Sequence, residues 1–172
     1  MISETSKARE RLIKYCQGNG LDLGYGGDPI IPSSITVDIQ DPWLGTAPRN
    51  LKGDACNLYW FRDGVLDYVY ASHLLEDFWN TEEILMEWLR VIRMGGFLVL
   101  TGPDQMAYRR YCERVGSPPN WGHRVDSFGL AYLKKVLKDL KRRPFYIPLK
   151  IVHEIALIDD YCFDLVVQKG EI

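Results

Sequence analysis

The sequence has no Cys-x-x-Cys pair and no paired histidine ligands, and it contains three histidines in all. Its four cysteines, Cys16, Cys56, Cys112 and Cys162, are scattered, which predicts reduced and mostly buried thiols and argues against a disulfide frame or a metal site. No run approaches the ~20 apolar residues of a membrane span, and Met1 to Lys7 contains no apolar leader core. Neither sign of charge is in excess: 21 Lys and Arg face 23 Asp and Glu, for a net charge of -2. That balance provides no global footprint for nucleic acid or an anionic membrane. There is also no repeat, no low-complexity tract and no linker-like change of composition. Together these absences predict a cytoplasmic chain in which residues 1–172 form one domain.

What is present is enough apolar material for a core. The sequence is 47% hydrophobic and 12% aromatic, and a chain of this size buries roughly 70% of its unfolded surface. Ser3 or Thr5 can cap a helix running to about Gln17, with Gly18 as its stop. Apolar runs at Gly20–Gly24, Ile35–Ile39, Leu51–Ala55 and Val65–Ala71 predict strands. Asn80 with Glu83 opens a helix whose face is Ile84, Leu85, Trp88 and Ile92, stopped by Gly95-Gly96. Phe97–Thr101 reads as a strand covered on both faces, and Asp104 caps a helix to about Val115. A Pro/Gly/Asn-rich loop, Gly116–Asp126, precedes a leucine-striped helix from Ser127 to about Lys141. Runs near Leu149–Leu157 and Cys162–Gln168 close the chain as an antiparallel pair. Trp79, Trp88, Tyr108 and Tyr111 are expected in the core, and the cations from Lys134 to Arg143 on a solvated helix face. This order predicts an α/β fold: a doubly wound, mostly parallel sheet flanked by helices, with an antiparallel C-terminal strand.

In such a sheet, ligands bind beyond the carboxyl ends of the strands. The unusual residues fall at those ends. Gly24, Tyr25, Gly26 and Gly27 follow the first strand, Asp38 and Ile39 end the second, and Asp54 and Ala55 follow the third. Ala71, Ser72 and His73 follow the fourth. Glycines let backbone N–H groups approach a ligand, Asp38 suits a vicinal diol, and Asp54 can accept from an exocyclic amine. The set describes a nucleoside with a polar tail, either a dinucleotide or S-adenosylmethionine. A dinucleotide fingerprint needs a third glycine where Pro29 stands, and Asp28 would repel a pyrophosphate.

At these residues the chain resembles the class I S-adenosylmethionine-dependent methyltransferases, over nearly its whole length. Asp22 with Gly24-Tyr25-Gly26 is similar to the family's first motif, Val37-Asp38-Ile39 to its ribose-binding acid, and Gly53-Asp54-Ala55 to its adenine-contacting motif. Leu66–Glu76 resembles the fourth-strand motif and its loop, and Arg93–Leu100 the turn into strand five. The resemblance implies a Rossmann-like fold, S-adenosylmethionine as cofactor and S-adenosylhomocysteine as product. It implies cofactor contacts from Asp22, Gly24, Tyr25, Gly26, Asp38, Ile39, Asp54, Ala55, Ala71 and Ser72. Three departures stand out. Asp28 replaces a small residue, only 16 positions separate Asp22 from Asp38, and no Asn-Pro-Pro-Tyr or Pro-Cys motif is present. The short spacing predicts that one turn or the 28–34 loop replaces the usual helix.

A hydroxyl acceptor would need a general base, for which His73, Asp104 and His123 are the candidates. The loop around His123 is expected to order over the site. A small metabolite or glycan is the expected acceptor; a protein or RNA acceptor, a non-catalytic cofactor-binding domain and an NAD-dependent oxidoreductase are the alternatives. The core fold uses almost the whole chain, so the acceptor site is either shallow or covered by a second subunit of a homodimer.

Overall fold

A computed structural model describes residues 3–42, 48–140 and 148–170. Among these residues, strands β1 (Gly20–Leu23), β2 (Ile35–Asp38), β3 (Leu51–Lys52), β4 (Leu66–Ser72) and β5 (Ile92–Pro103) pair in parallel. Strands β6 (Leu149–Ile158) and β7 (Cys162–Lys169) form a hairpin, with β7 antiparallel to β5. The sheet order is β3-β2-β1-β4-β5-β7-β6. The doubly wound, mostly parallel sheet with an antiparallel C-terminal edge is thus as expected.

Strand alternation sorts the core into two layers. Leu21, Leu23, Val69, Ala71, Leu98, Leu100, Leu165 and Val167 face α2 (Thr81–Val91) and α4 (Leu130–Leu140). Tyr68, Tyr70, Val99 and Val166 face Ala8 and Leu12 of α1 (Glu4–Leu12), together with Ile30. Helix α2 buries Ile84, Leu85 and Trp88 as its spacing requires, and the Trp88 indole donates to Ala55 O at 2.8 Å. Helix α3 (Gln105–Val115) starts at the Asp104 cap, whose carboxylate accepts from Ala107 N at 3.0 Å, and stops at left-handed Gly116.

Several local expectations are corrected. Helix α1 ends at Leu12 and tightens to a 3-10 turn over Ile13–Tyr15, short of Gln17. Helix α2 ends at Val91, and Ile92 already belongs to β5. Gly95-Gly96 is not its stop but lies where the β4–β5 register slips, and a Cβ on Gly96 would lie 2.6 Å from Asp67 O, so glycine is needed there. Strand β3 keeps only Leu51 and Lys52, since Asp54 turns the chain by accepting from Cys56 N at 2.8 Å. Trp79, expected in the core, is 75% exposed, with the Arg124 guanidinium 5.9 Å from its ring. The end of the expected basic stretch, Lys141 to Arg143, lies outside the described residues.

One ion pair fastens α1 to the sheet. Arg11 Nε donates to Asp164 Oδ2 at 2.6 Å, and Asp164 is fully buried in β7. Removing one partner of a buried pair leaves a charge without compensation. Arg11→Met should therefore cost about 3 kcal/mol of stability, read as a lower denaturant midpoint at unchanged slope. Adding Asp164→Leu should restore most of the loss, as replacement of a whole buried pair commonly does.

Candidate functional site

The connection from β1 to β2 shapes the carboxyl edge of the sheet. Residues 24–34 contain no helix. They are held down by polar groups that compensate for it. Asp22 Oδ2 accepts from Ile30 N at 2.6 Å. Asp28 accepts from the Ser3 hydroxyl, from Ser6 Oγ at 2.6 Å and from Arg9 Nη2 at 2.5 Å. Arg9 Nη2 also donates to Pro29 O at 3.0 Å. Burial works against the Asp28 carboxylate, but Ser3, Ser6 and Arg9 hold its pKa below the ordinary value. The residue that departs from the family motif is therefore the anchor joining this loop to α1.

Two cavities flank Gly24. The first, about 50 Å³, is walled by Asp38, Ile39, Asp54, Ala55, Leu74 and Phe78 among others. The second, about 90 Å³, lies between the start of α1 (Ser3, Glu4, Thr5) and Tyr25, Gly26, Ser72 and His73. Gly24 has φ +65°, and a Cβ there would sit 3.0 Å from Leu74 Cδ1, so only glycine leaves the ridge between the cavities low. Asp38 faces the glycine turn, with Gly26 N 3.5 Å from Oδ2, while Gln40 N donates to Oδ1 at 3.0 Å. Ser72 Oγ is buried in the second cavity's wall near the Tyr70 hydroxyl, without a hydrogen bond of ordinary geometry.

Below the second cavity lies a cluster of titratable groups. His73 has φ +49°, and its backbone N–H donates to Thr101 O at 3.0 Å. Its Nδ1 is 3.7 Å from Glu76 Oε1, which is also 3.9 Å from His123 Nε2. Burial drives the His73 pKa down to about 4 and the Glu76 pKa up to about 8, so both groups favour their neutral forms.

Of the expected site residues, the fold brings Gly24, Asp38, Ile39, Asp54 and Ala55 to one cavity and Gly24, Tyr25, Gly26, Ser72 and His73 to the other. Asp22 and Ala71 lie beneath the floor, 0% and 2% exposed, and wall neither cavity. Asp104 is committed to the α3 cap. His123 turns inward, its Nδ1 2.7 Å from Gln105 Oε1, and walls neither cavity, while Trp121 in the same loop is 83% exposed. The loop expected to order over the site places its histidine against Tyr108, Gln105 and Glu76. Sequence reasoning missed Leu74 and Phe78, whose apolar side chains resemble ordinary core, and Ser3, Glu4 and Thr5. The latter precede the first strand and reach the site only because α1 packs beside it. A larger depression, about 760 Å³, opens at the opposite edge of the sheet beside Asp63, Met86, Arg90 and Lys169. Its cations are already engaged: Arg90 with Glu87 and Asp63, and Lys169 with the carbonyls of Leu89 and Ile92.

Residues 18–100 match the family model of a methyltransferase domain. The whole fold superposes on solved methyltransferases. One from Archaeoglobus fulgidus, described as S-adenosylmethionine-dependent, shares 19% identity at a TM-score of 0.63, covering 97% of this chain and 95% of that one. The N-methyltransferase NodS from Bradyrhizobium japonicum, solved with S-adenosylhomocysteine, shares 14% at a TM-score of 0.65, covering 98% and 89%. The chain has the fold of the S-adenosylmethionine-dependent methyltransferases. A similar enzyme from Aquifex aeolicus shares 16% identity at a TM-score of 0.63, covering 92% and 88%. No curated protein matches the sequence. Within the class I fold, the glycine turn and the acid ending β2 occupy the carboxyl edge, where the topology places a ligand. Among the described residues, no helix is long and apolar enough to cross a membrane.

Asp22 makes this floor pH-sensitive. Burial raises its pKa from 3.8 to about 8, and Oδ1 has no hydrogen-bond partner. The folded state thus holds a proton that the unfolded state releases near pH 4. Its contribution to stability is complete at acid pH and falls as pH rises from the carboxylate range to about 8, then levels off. Asp22→Asn should flatten this part of the decline in thermal melts between pH 5 and 9, leaving the share contributed by Glu76.

Proposed function

We propose that the chain binds S-adenosylmethionine across the Gly24 ridge and transfers its methyl group to a small-molecule acceptor. The observation that carries this reading is the pairing of the two cavities: a diol-competent acid and apolar walls on one side, and an orphaned buried hydroxyl beside a glycine turn on the other. The donor set fits a nucleoside joined to an amino-acid tail. Asp38 would accept from the ribose hydroxyls, and Leu74, Phe78 and Ile39 would wall the adenine beside Asp54. Ser72 Oγ and the Gly24–Gly26 backbone would take the polar tail. At about 50 and 90 Å³ each cavity is smaller than the roughly 300 Å³ or more of typical ligand sites, and the proposed ligand would span both.

The sulfonium supplies its own electrophilic activation when bound, leaving the chain to position it and exclude water. Of the three candidate bases, His73 stands at a cavity wall, and Asp104 and His123 stand away from it. The fold also argues against a dinucleotide. No helix follows Gly24, so no helix N-terminus faces the position of a pyrophosphate.

S-adenosylhomocysteine at 100 times its dissociation constant should stabilise the chain by about 2.7 kcal/mol, while NAD leaves the melt unchanged. Asp38→Ala should weaken S-adenosylhomocysteine roughly tenfold to a hundredfold in calorimetry with its melting temperature nearly unchanged. A melt raised by NAD alone would overturn the assignment. Unaltered binding in Asp38→Ala would return Asp38 to a turn residue.

A further inference from the structure

Three metal-competent side chains from distant parts of the chain converge beneath the second cavity. They are Glu4 in the first turn of α1, His73 just after β4 and Cys162 at the start of β7. His73 Nε2 lies 3.5 Å from Cys162 Sγ and 3.7 Å from Glu4 Oε2, and Sγ lies 3.9 Å from the same carboxylate oxygen. Zinc bonds of about 2.3 Å to sulfur and about 2.0–2.2 Å to nitrogen and oxygen, at tetrahedral angles, put ligand atoms roughly 3.4–3.6 Å apart. The triangle is therefore within a few tenths of an ångström of the size that one such ion would draw together.

We infer that Glu4 Oε2, His73 Nε2 and Cys162 Sγ form a binding site for a zinc-class divalent cation at the wall of the second cavity. The surrounding groups orient the ligands as metal sites require. Lys7 Nζ holds the other Glu4 oxygen, Oε1, at 2.8 Å, which leaves Oε2 directed at the histidine and the thiol. The far nitrogen of His73 faces the buried Glu76 carboxyl at 3.7 Å, an approach to the carboxylate–histidine–metal arrangement. His73 also occupies the left-handed backbone region, which a non-glycine residue adopts at a cost and which is over-represented at ligand clamps. Three protein ligands leave a tetrahedral ion one open position, the pattern of zinc sites that handle a substrate rather than brace a fold. Glu4 and His73 both line the cavity, so that position borders the space beside Gly24. The expectation of no metal site rested on sequence spacing, and ligands at positions 4, 73 and 162 leave no local motif. Metal binding here does not depend on methyl transfer, and its test uses no methyl donor.

The test is a Co²⁺ titration of the chelator-treated full chain. One equivalent should produce thiolate-to-cobalt charge-transfer absorption in the near ultraviolet with tetrahedral bands in the visible, and Zn²⁺ should abolish both. Calorimetry in buffers of different ionisation enthalpy should show release of the Cys162 proton on binding. Cys162→Ser should remove the charge-transfer band. Even an outer partner of a ligand commonly contributes 10–100-fold to metal affinity, so Glu4→Gln, a surface change that preserves the fold, should weaken Zn²⁺ at least about tenfold. Cys112→Ser should change nothing. Absence of the bands in the unaltered chain overturns the site, as do unchanged spectra and affinity in both Cys162→Ser and Glu4→Gln.

Discussion

The carboxyl edge of this sheet depends on one polar knot, Asp28 with Ser3, Ser6 and Arg9. A parallel crossover normally carries a helix whose apolar stripe covers the sheet, and eleven residues without one leave too little apolar surface to do so. Here Ile30, with the partly buried Ile31 beside it, reaches the second core layer, and the remaining hold is polar. The knot draws α1 across the gap, which puts Ala8 and Leu12 against Tyr68, Tyr70 and Val166. The same packing places Ser3, Glu4 and Thr5 at the rim of the second cavity. Thus one acid, Asp28, ties the loop to α1 and sets that helix beside the candidate site.

Burying acids near that knot has a consequence for the chemistry. Asp22 and Glu76 are each almost fully buried, and both have raised pKa values because their charged forms lose hydration. Asp22 answers the Ile30 amide and secures the loop. Glu76 lies between His73 and His123 and links the cavity wall to the α3 side of the molecule. Burial favours the neutral form of each carboxyl, which keeps strong negative charge away from the candidate site.

The arrangement also makes the chain economical for its fold. The antiparallel β6–β7 hairpin covers one flank of β5, and the first residue of β7, Cys162, pairs in register with Pro103 at the carboxyl edge. An element whose main role is to finish the sheet thereby delivers a thiol to within 3.5 Å of His73.

The strand order and the candidate binding edge were legible in the residues, because period-two apolar runs and glycine turns are local signals. Gly24, Gly26, Asp38 and Asp54 each follow a strand, and the parallel topology alone takes strand ends to a common edge. The Asp104 cap and the helix end near Val115 were equally local. Boundaries decided by tertiary contacts were not. The Gly95-Gly96 pair reads as a helix stop until the nearness of Asp67 O shows that the strand itself needs it, and Trp79 reads as core until its helix start proves to face solvent. The roles of Asp22, Asp28 and His123 depend on partners 8, 22 and 18 residues away, at Ile30, Ser6 and Gln105. The cluster of Glu4, His73 and Cys162 spans nearly the whole chain. Side-chain periodicity reports the face of an element, but only packing decides which other face it meets, and the chemistry beside Gly24 is made where those faces meet.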